Sequence, residues 1–432
     1  MIFILSIDCS DTQMKIQRSF NKVAPSTSPF FKGGHRGIRW RGAGFLFLTL
    51  MLWTFPLFAQ GTWSGSIGVE SRGFPHAPLD ADQSRADASV VFAPEYDVFF
   101  DDGNQGILFE GFVRLDGVDG RRTHWDIREL FWERVADLWE IRAGVRRVFW
   151  GVTESQHLVD VVNQTDLVER PDGEAKLGQP MVNVTLVNGW GVLDLFVLPY
   201  FRERTFPGQD GRLRPPLFVT DDARYVDGDV KRHVSFAGRW SHTLGMFDVG
   251  LSHFWGTVRD PELTLWVESD DTPVLKPFYD RVHQTGLELQ TITGGWLWKL
   301  EGIHRSGQGD RFTALTGGFE YTVGNIKNSG VDVGLLAEYL WDERDVLSPF
   351  EDDFFVGTRI ALNDVQNTSV LAGAVVDRTS GSSAFLFEAS RRVGDRWTVG
   401  LEGRGFWNAG VSDPLYAFRK DSHGEIKITH HF

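Results

Sequence analysis

The sequence predicts an all-β fold: a transmembrane, antiparallel, up-and-down barrel of about 16–18 strands. Three observations predict it. After Gly61 no apolar run is long enough to be a membrane helix. The same stretch divides into segments of about ten residues in which apolar and polar or small residues alternate. The connections between these segments are long and short in turn, as in barrels with long outer loops and brief periplasmic turns.

Residues 1–59 read as a leader that export removes. Phe45–Phe55, FLFLTLMLWTF, is an apolar core of signal-peptide length, preceded by Lys32, Arg36, Arg39 and Arg41, with cleavage expected after Ala59. A membrane anchor needs a longer run than one stopped by Pro56. The first 31 residues are long for the region ahead of such a core, so Met14 stands as an alternative start to Met1. Cys9, the one cysteine, follows Asp8 where a lipid-modified cysteine needs a small residue, and its place in the leader leaves the mature chain no disulfide or thiolate site. Seven of the 44 basic but only two of the 58 acidic residues lie in the leader, so residues 60–432 carry a net charge of −19 and nucleic acid is not an expected partner.

Residues 60–432 are expected to form one barrel domain. Eighteen segments alternate: 62–70, 87–99, 106–116, 125–134, 138–147, 181–187, 191–201, 232–241, 245–254, 282–291, 295–304, 311–322, 331–340, 354–362, 367–377, 383–391, 396–406 and 423–432. The even count suits a single-chain barrel. Trp296, Trp298 and Leu300 alternate with Leu297, Lys299 and Glu301; Trp397, Val399 and Leu401 alternate with Thr398, Gly400, Glu402 and Arg404. Val333, Leu335, Ala337, Tyr339 and Trp341 share one face, Asp332 and Glu338 the other. A period of two places each set on its own face, and the charged face is tolerable only if it looks into water. The long connections 71–86, 148–180, 202–231, 255–281, 341–353 and 407–422 follow odd-numbered segments, which puts both ends of the domain on the periplasmic side. A β-sandwich would not sort its loops by parity. The load of 16 Trp, 34 Phe and 47 Gly is heavy for a chain of mean hydropathy −0.20, and suits a surface that displays rings to lipid.

The chain ends Ile426, Lys427, Ile428, Thr429, His430, His431, Phe432. With the leader, the alternation and the loop parity, this ending resembles the closing strand of bacterial outer-membrane proteins of the porin class, across essentially the whole of residues 60–432. His430 departs from the pattern by replacing the usual aromatic. The resemblance implies that Phe432 belongs to a signal read by the barrel-assembly machinery. It also implies a pore for passive diffusion of small solutes or ions, set in outer-membrane lipid and lipopolysaccharide, with no enzymatic role.

The connection 148–180 is the most distinctive stretch. Leu158, Val159, Val161, Val162, Leu167 and Val168 are too many apolar residues for a loop bathed in water, and the lumen is the nearest surface they can pack on. Porins narrow their channel with an inward-folded loop whose acids face basic groups on the wall. The comparable parts here are Asp160, Asp166 and Glu169, with Asp172 and Glu174, opposite Arg114, Arg128, Arg142 and Arg146 on the third to fifth segments. Opposed charges across a narrow aqueous gap set selectivity. Read otherwise, the loop is an outer lid and the arginines pair locally with Glu110, Asp116, Asp126 and Glu140; the register of the fourth segment is ambiguous.

Acidic clusters recur on the outer loops: Asp80 and Asp82; Asp221 and Asp222 with Asp227 and Asp229; Asp270 and Asp271; Glu351, Asp352 and Asp353. They are solvated loop surface or, as the sharper alternative, carboxylates for Ca²⁺ or Mg²⁺ bridging to lipopolysaccharide; no other cofactor is expected. No nucleophile elbow, His-Glu-x-x-His or phosphate loop occurs. His304 beside Ser306 supports only thinly a lipid hydrolase on the barrel wall, and a plugged structural or adhesion barrel is the other alternative to a pore. A homo-oligomer stays open, because lipid-facing and subunit-facing strands share one pattern.

Overall fold

The computed structural model describes residues 61–226, 228, 233–345 and 348–432; the expected leader with Cys9, Met14 and Ala59, and Asp227 and Asp229 of the acidic clusters, lie outside them. The strands are β1 (Thr62–Gly73), β2 (Ala86–Phe100), β3 (Gln105–Asp116), β4 (His124–Val135), β5 (Trp139–Arg146), β6 (Gln179–Asn188) and β7 (Gly191–Leu198). They continue with β8 (Arg224–Tyr225), β9 (Ser235–Leu244), β10 (Phe247–Thr257), β11 (Glu262–Val267), β12 (Pro273–Tyr279), β13 (Arg281–Thr293) and β14 (Trp296–Gly307). The last seven are β15 (Gly309–Val323), β16 (Asp332–Asp342), β17 (Asp352–Ala361), β18 (Ser369–Asp377), β19 (Ser383–Val393), β20 (Trp397–Trp407) and β21 (His423–His431).

All but β8, β11 and β12 form one 18-stranded antiparallel sheet, closed because β1 pairs with β21 as well as with β2. Closure follows from the solvent: in hydrocarbon an open edge leaves backbone N–H and C=O groups without partners. Each expected segment falls on one barrel strand, with ends moved by a few residues, as where 232–241 becomes Ser235–Leu244. The remaining three strands were expected as loop. Leu263, Leu265, Trp266 and Val267 give β11 strand-forming residues, and it finds its partner locally, in the hairpin with β12, which β8 joins in parallel.

The faces sort as lipid requires. Trp298, Leu335 and Trp397 point outward, 43%, 51% and 47% exposed, whereas Lys299, Glu301 and Glu338 point inward and are buried. Trp63, Trp139, Trp296 and Trp397, each at the start of a strand, lie with Tyr96, Tyr321 and Phe432 along the short-turn end of the barrel as an aromatic girdle. A β-bulge resolves the fourth segment: Glu110 faces Glu129 but Gly111 faces Ile127, so Arg128 is the extra residue. Asp126 and Arg128 face inward before it, Glu129, Phe131 and Glu133 after it.

Candidate functional site: the segment folded across the lumen

The 32 residues between β5 and β6 enter the barrel because their apolar side chains find an apolar inner wall. Leu158, Val159, Val161 and Val162 join one buried cluster with Phe196, Phe254, Tyr279, Ile303 and Phe312. Val159 and Val162 are fully buried, worth about 1.5–3 kcal/mol each. Asn163 ties the neck of the segment: its Oδ1 accepts from Val148 N–H (2.8 Å), and its Nδ2 donates to the carbonyls of Arg146 (2.7 Å) and Leu177 (2.9 Å).

Beyond the neck, wall carboxylates satisfy backbone groups that water would otherwise solvate. Glu301 Oε1 accepts from Val152 N–H (2.6 Å), Thr153 N–H (2.9 Å) and the Thr153 hydroxyl (2.7 Å). Glu338 accepts from Glu154 N–H (2.8 Å) and from both Ser155 N–H (2.8 Å) and its hydroxyl (2.6 Å). Glu288 accepts from Gly151 N–H (3.1 Å). The Glu154 carboxylate meets Lys299 (3.0 Å) and Arg359 (2.8 Å). This arm is held by β13, β14, β16 and β17.

The other arm is held by β3, β4, β19 and β20. Arg114 makes a forked contact with Glu169 (3.0 and 2.7 Å) and also meets Glu70, while His124 lies 3.3 Å from Glu169. Arg128 donates to Asp166 (2.8 Å), whose other oxygen accepts from the Thr205 hydroxyl (2.5 Å). Arg170 reaches Glu388 (3.2 Å) and Glu402 (3.1 Å); Arg404 joins Asp172 (3.1 Å), Glu388 (2.7 Å) and Glu402 (3.0 Å). With pins on both sides, the segment spans the lumen.

The expected residues therefore divide. Arg114 and Arg128 meet Glu169 and Asp166. Arg142 instead pairs with Glu133 (2.9 Å) and Glu140 (2.6 Å) on the sheet, and Arg146 donates to Asn183 (2.7 Å) over the Phe131 ring. Asp160 pairs within the segment, with Lys176 (3.1 Å). The residues not singled out beforehand are Arg170 and the wall groups Glu288, Glu301, Glu338, Arg359 and Arg404. The signal of the wall groups was present as charge on the inward parity of otherwise apolar strands.

A cavity of about 80 Å³ remains beside the segment. His157, Glu174 and Lys176 border it on one side, Arg204, Arg259, Asp260, Arg305 and Arg344 on the other. Asp260 takes up both Arg204 and Arg305, whereas Arg259 donates to the carbonyls of Val161 (3.2 Å) and Val162 (2.8 Å). Burial pushes the Glu174 carboxyl up to about 8, and neighbouring Asp172 adds to the effect.

Among the outer acidic residues, Asp80 pairs with Arg214, Asp221 with Arg121 and Asp222 with Lys276, and no group of three or more His, Cys, Asp or Glu able to hold a metal converges among the described residues. His304 faces outward and its Nδ1 meets the Thr313 hydroxyl (3.2 Å) rather than a carboxylate. Phe432 exchanges backbone hydrogen bonds with Gly65 (3.0 and 3.2 Å), and its ring stacks on Phe92 at 6.2 Å.

A closed 18-strand barrel with an apolar outer belt and a charged inner wall is the architecture of porin-like outer-membrane proteins, and the fold of this chain is of that class. No family model and no curated protein matches the sequence. Among solved structures it is similar to a BenF-like porin from Pseudomonas fluorescens Pf-5, at 10% identity and a TM-score of 0.51 over 87% of this chain and 98% of that one. Pseudomonas aeruginosa OccK5 (OpdH) gives the same values, and P. aeruginosa OpdQ gives 10% identity and a TM-score of 0.50 over 87% and 98%. At this identity the likeness is one of fold.

Proposed function

We propose that the protein is an outer-membrane channel in which small solutes or ions diffuse past the segment 147–178, the narrowest part of the lumen. The observation that carries the reading is the segment's attachment to opposite walls, through Glu301 and Glu338 on one side and Arg114, Arg128 and Arg404 on the other. Arg114, Arg128, Asp166 and Glu169 hold the constriction in place. Arg142 and Arg146 contribute positive charge to the wall of the pore, and Asp160 with Lys176 stiffens the segment itself. Because ion pairs and charge-assisted hydrogen bonds hold it from both walls, the segment has a fixed position rather than a mobile one.

The density of those pins also favours a second reading, a barrel plugged by its own segment. Single-channel recording in planar bilayers decides between them. The channel reading expects discrete conductance in the full-length barrel and a several-fold larger step when residues 149–177 are replaced by a short Gly-Ser linker. A silent full-length barrel that conducts only after the deletion establishes the plug.

A further inference from the structure

One sector of the outer wall departs from the rule that governs the rest. Near the outer rim, most strands present apolar side chains to lipid: Val90, Leu115, Val197, Phe236, Phe354 and Val376 are all about two-fifths or more exposed. Across β10, β13, β14 and β15 the corresponding row is polar. His253 faces Thr285, Thr285 faces His304, and His304 faces Thr313, each pair directly opposite in register. The next row toward the rim is Trp255, His283 and Ser306, with Arg311 exposed at the start of β15. His253 Nδ1 meets the Thr285 hydroxyl (3.0 Å) and His304 Nδ1 meets that of Thr313 (3.2 Å). Each of these contacts engages Nδ1, so Nε2 is the ring nitrogen left for a ligand and is a donor when it carries the proton.

Directly below this row the same wall is hollowed into an apolar groove of about 660 Å³. Leu289, Leu300, Leu315 and Tyr339 line it, and Trp298 and Trp341 flank it. Gly317, opposite Leu300, forms part of the floor of the hollow, and Gly302, opposite Leu315, lies between the hollow and the histidine row. A Cβ on Gly302 would come within 2.7 Å of Leu315, and one on Gly317 within 2.8 Å of Leu300.

The heights agree with an amphiphile. From Trp296, in the aromatic girdle, to His304 is eight residues, roughly 27 Å along the strand and about 20 Å along the membrane normal at a tilt near 40°. This places the His253–His304 row within about 5 Å of the outer edge of an apolar band about 25 Å tall, the His283–Ser306 row at that edge, and the groove among the acyl chains. Glu343 is the carboxylate at the end of the row, and it is taken up by Thr313 N–H (2.8 Å).

We infer that this sector docks one anionic, phosphate-bearing lipid of the outer leaflet. His253, His283, His304 and Arg311 face its phosphate, and one acyl chain lies in the groove at Gly317. The donors match phosphate oxygens, and the groove gives a lipid an advantage that free phosphate lacks.

Native mass spectrometry of the full-length barrel in neutral detergent tests this, with phosphatidylglycerol, diacylglycerol of the same chains and inorganic phosphate as probes. The expected result is one phosphatidylglycerol retained per barrel, roughly tenfold more than diacylglycerol, and not displaced by millimolar inorganic phosphate. H253L/H304L should reduce retention to the diacylglycerol level, and L289W, which fills the groove, should reduce it independently. Both changes put apolar groups on a lipid-facing surface, and heat-dependent gel mobility verifies their folding. Equal retention of the two lipids, full displacement by phosphate, or unchanged retention in H253L/H304L overturns the proposal. So does a barrel dimer that H253L/H304L dissolves, since the row would then be a subunit interface.

Discussion

Single side chains set the charge of the opening beside the segment, and Glu174 is one whose state changes in an accessible range. Burial places its carboxyl near 8, so at neutral pH it is largely protonated and ionises as the pH rises through that value. Ionisation adds one negative charge beside Lys176 and Arg204. If the cavity lies on the conduction path, reversal potentials under a salt gradient should move toward cation preference between pH 7 and 9.5. Glu174→Gln should show a smaller shift. Arg142 and Arg146 act in the same measurement at fixed pH. Replacing both by alanine leaves Glu133 and Glu140 without their guanidinium partner and makes the wall more negative. Cation preference should increase, and the increase should shrink at 1 M salt, where the screening length falls to about 3 Å. A reversal potential that does not move would make these arginines structural.

At the scale of elements, the segment 147–178 and the wall strands stabilise each other unequally. Arg114 is buried with Glu169 and Glu70; in Arg114→Ala Glu70 keeps Lys427 and Arg122, but buried Glu169 is left with only His124 beside it, a cost of up to about 3–5 kcal/mol. The barrel ladder does not depend on that contact, so the cost should appear as release of the Leu167–Glu174 arm. Limited proteolysis should cut there in Arg114→Ala while the barrel stays intact. Equal resistance to that of the parent would mean that Arg170 and Arg404 suffice to hold the arm. The bulge at Arg128 explains why one partner in this region was not legible. An unbroken period of two from Asp126 and Arg128 sends Glu133 out to lipid, whereas the extra residue returns it inward, opposite Arg142. The β11–β12 hairpin was missed for a different reason. Its alternation is as regular as a wall strand's, but it pairs within an outer connection, and connection lengths alone cannot reveal that.

For the whole molecule, legibility follows from the solvent on each side. Lipid disfavours polar side chains over most of one face and tolerates no open edge, so strand number, parity and the placement of loops are written in the local sequence. The apolar content of 148–180 marks that stretch as packed. What it packs against is set by closure of the ring, which brings Thr153 to Glu301 and Arg170 to Glu402 across well over a hundred residues of chain. The seam of that ring is β1 against β21, with pairs running from Ser66–His431 to Gly73–Gly424, and Phe432 adds two backbone bonds to Gly65 below them. A closed barrel should stay folded in SDS until boiled, because every strand's backbone is already satisfied. Deleting Phe432 separates two roles that its position allows. The eight pairs of the seam remain, so protein refolded in detergent should keep its heat-dependent gel mobility. If Phe432 also carries the signal for the assembly machinery, the amount recovered in the outer-membrane fraction of cells should fall several-fold. Unchanged recovery would confine Phe432 to the girdle, and loss of the gel shift after refolding would make it part of the seam's stability instead.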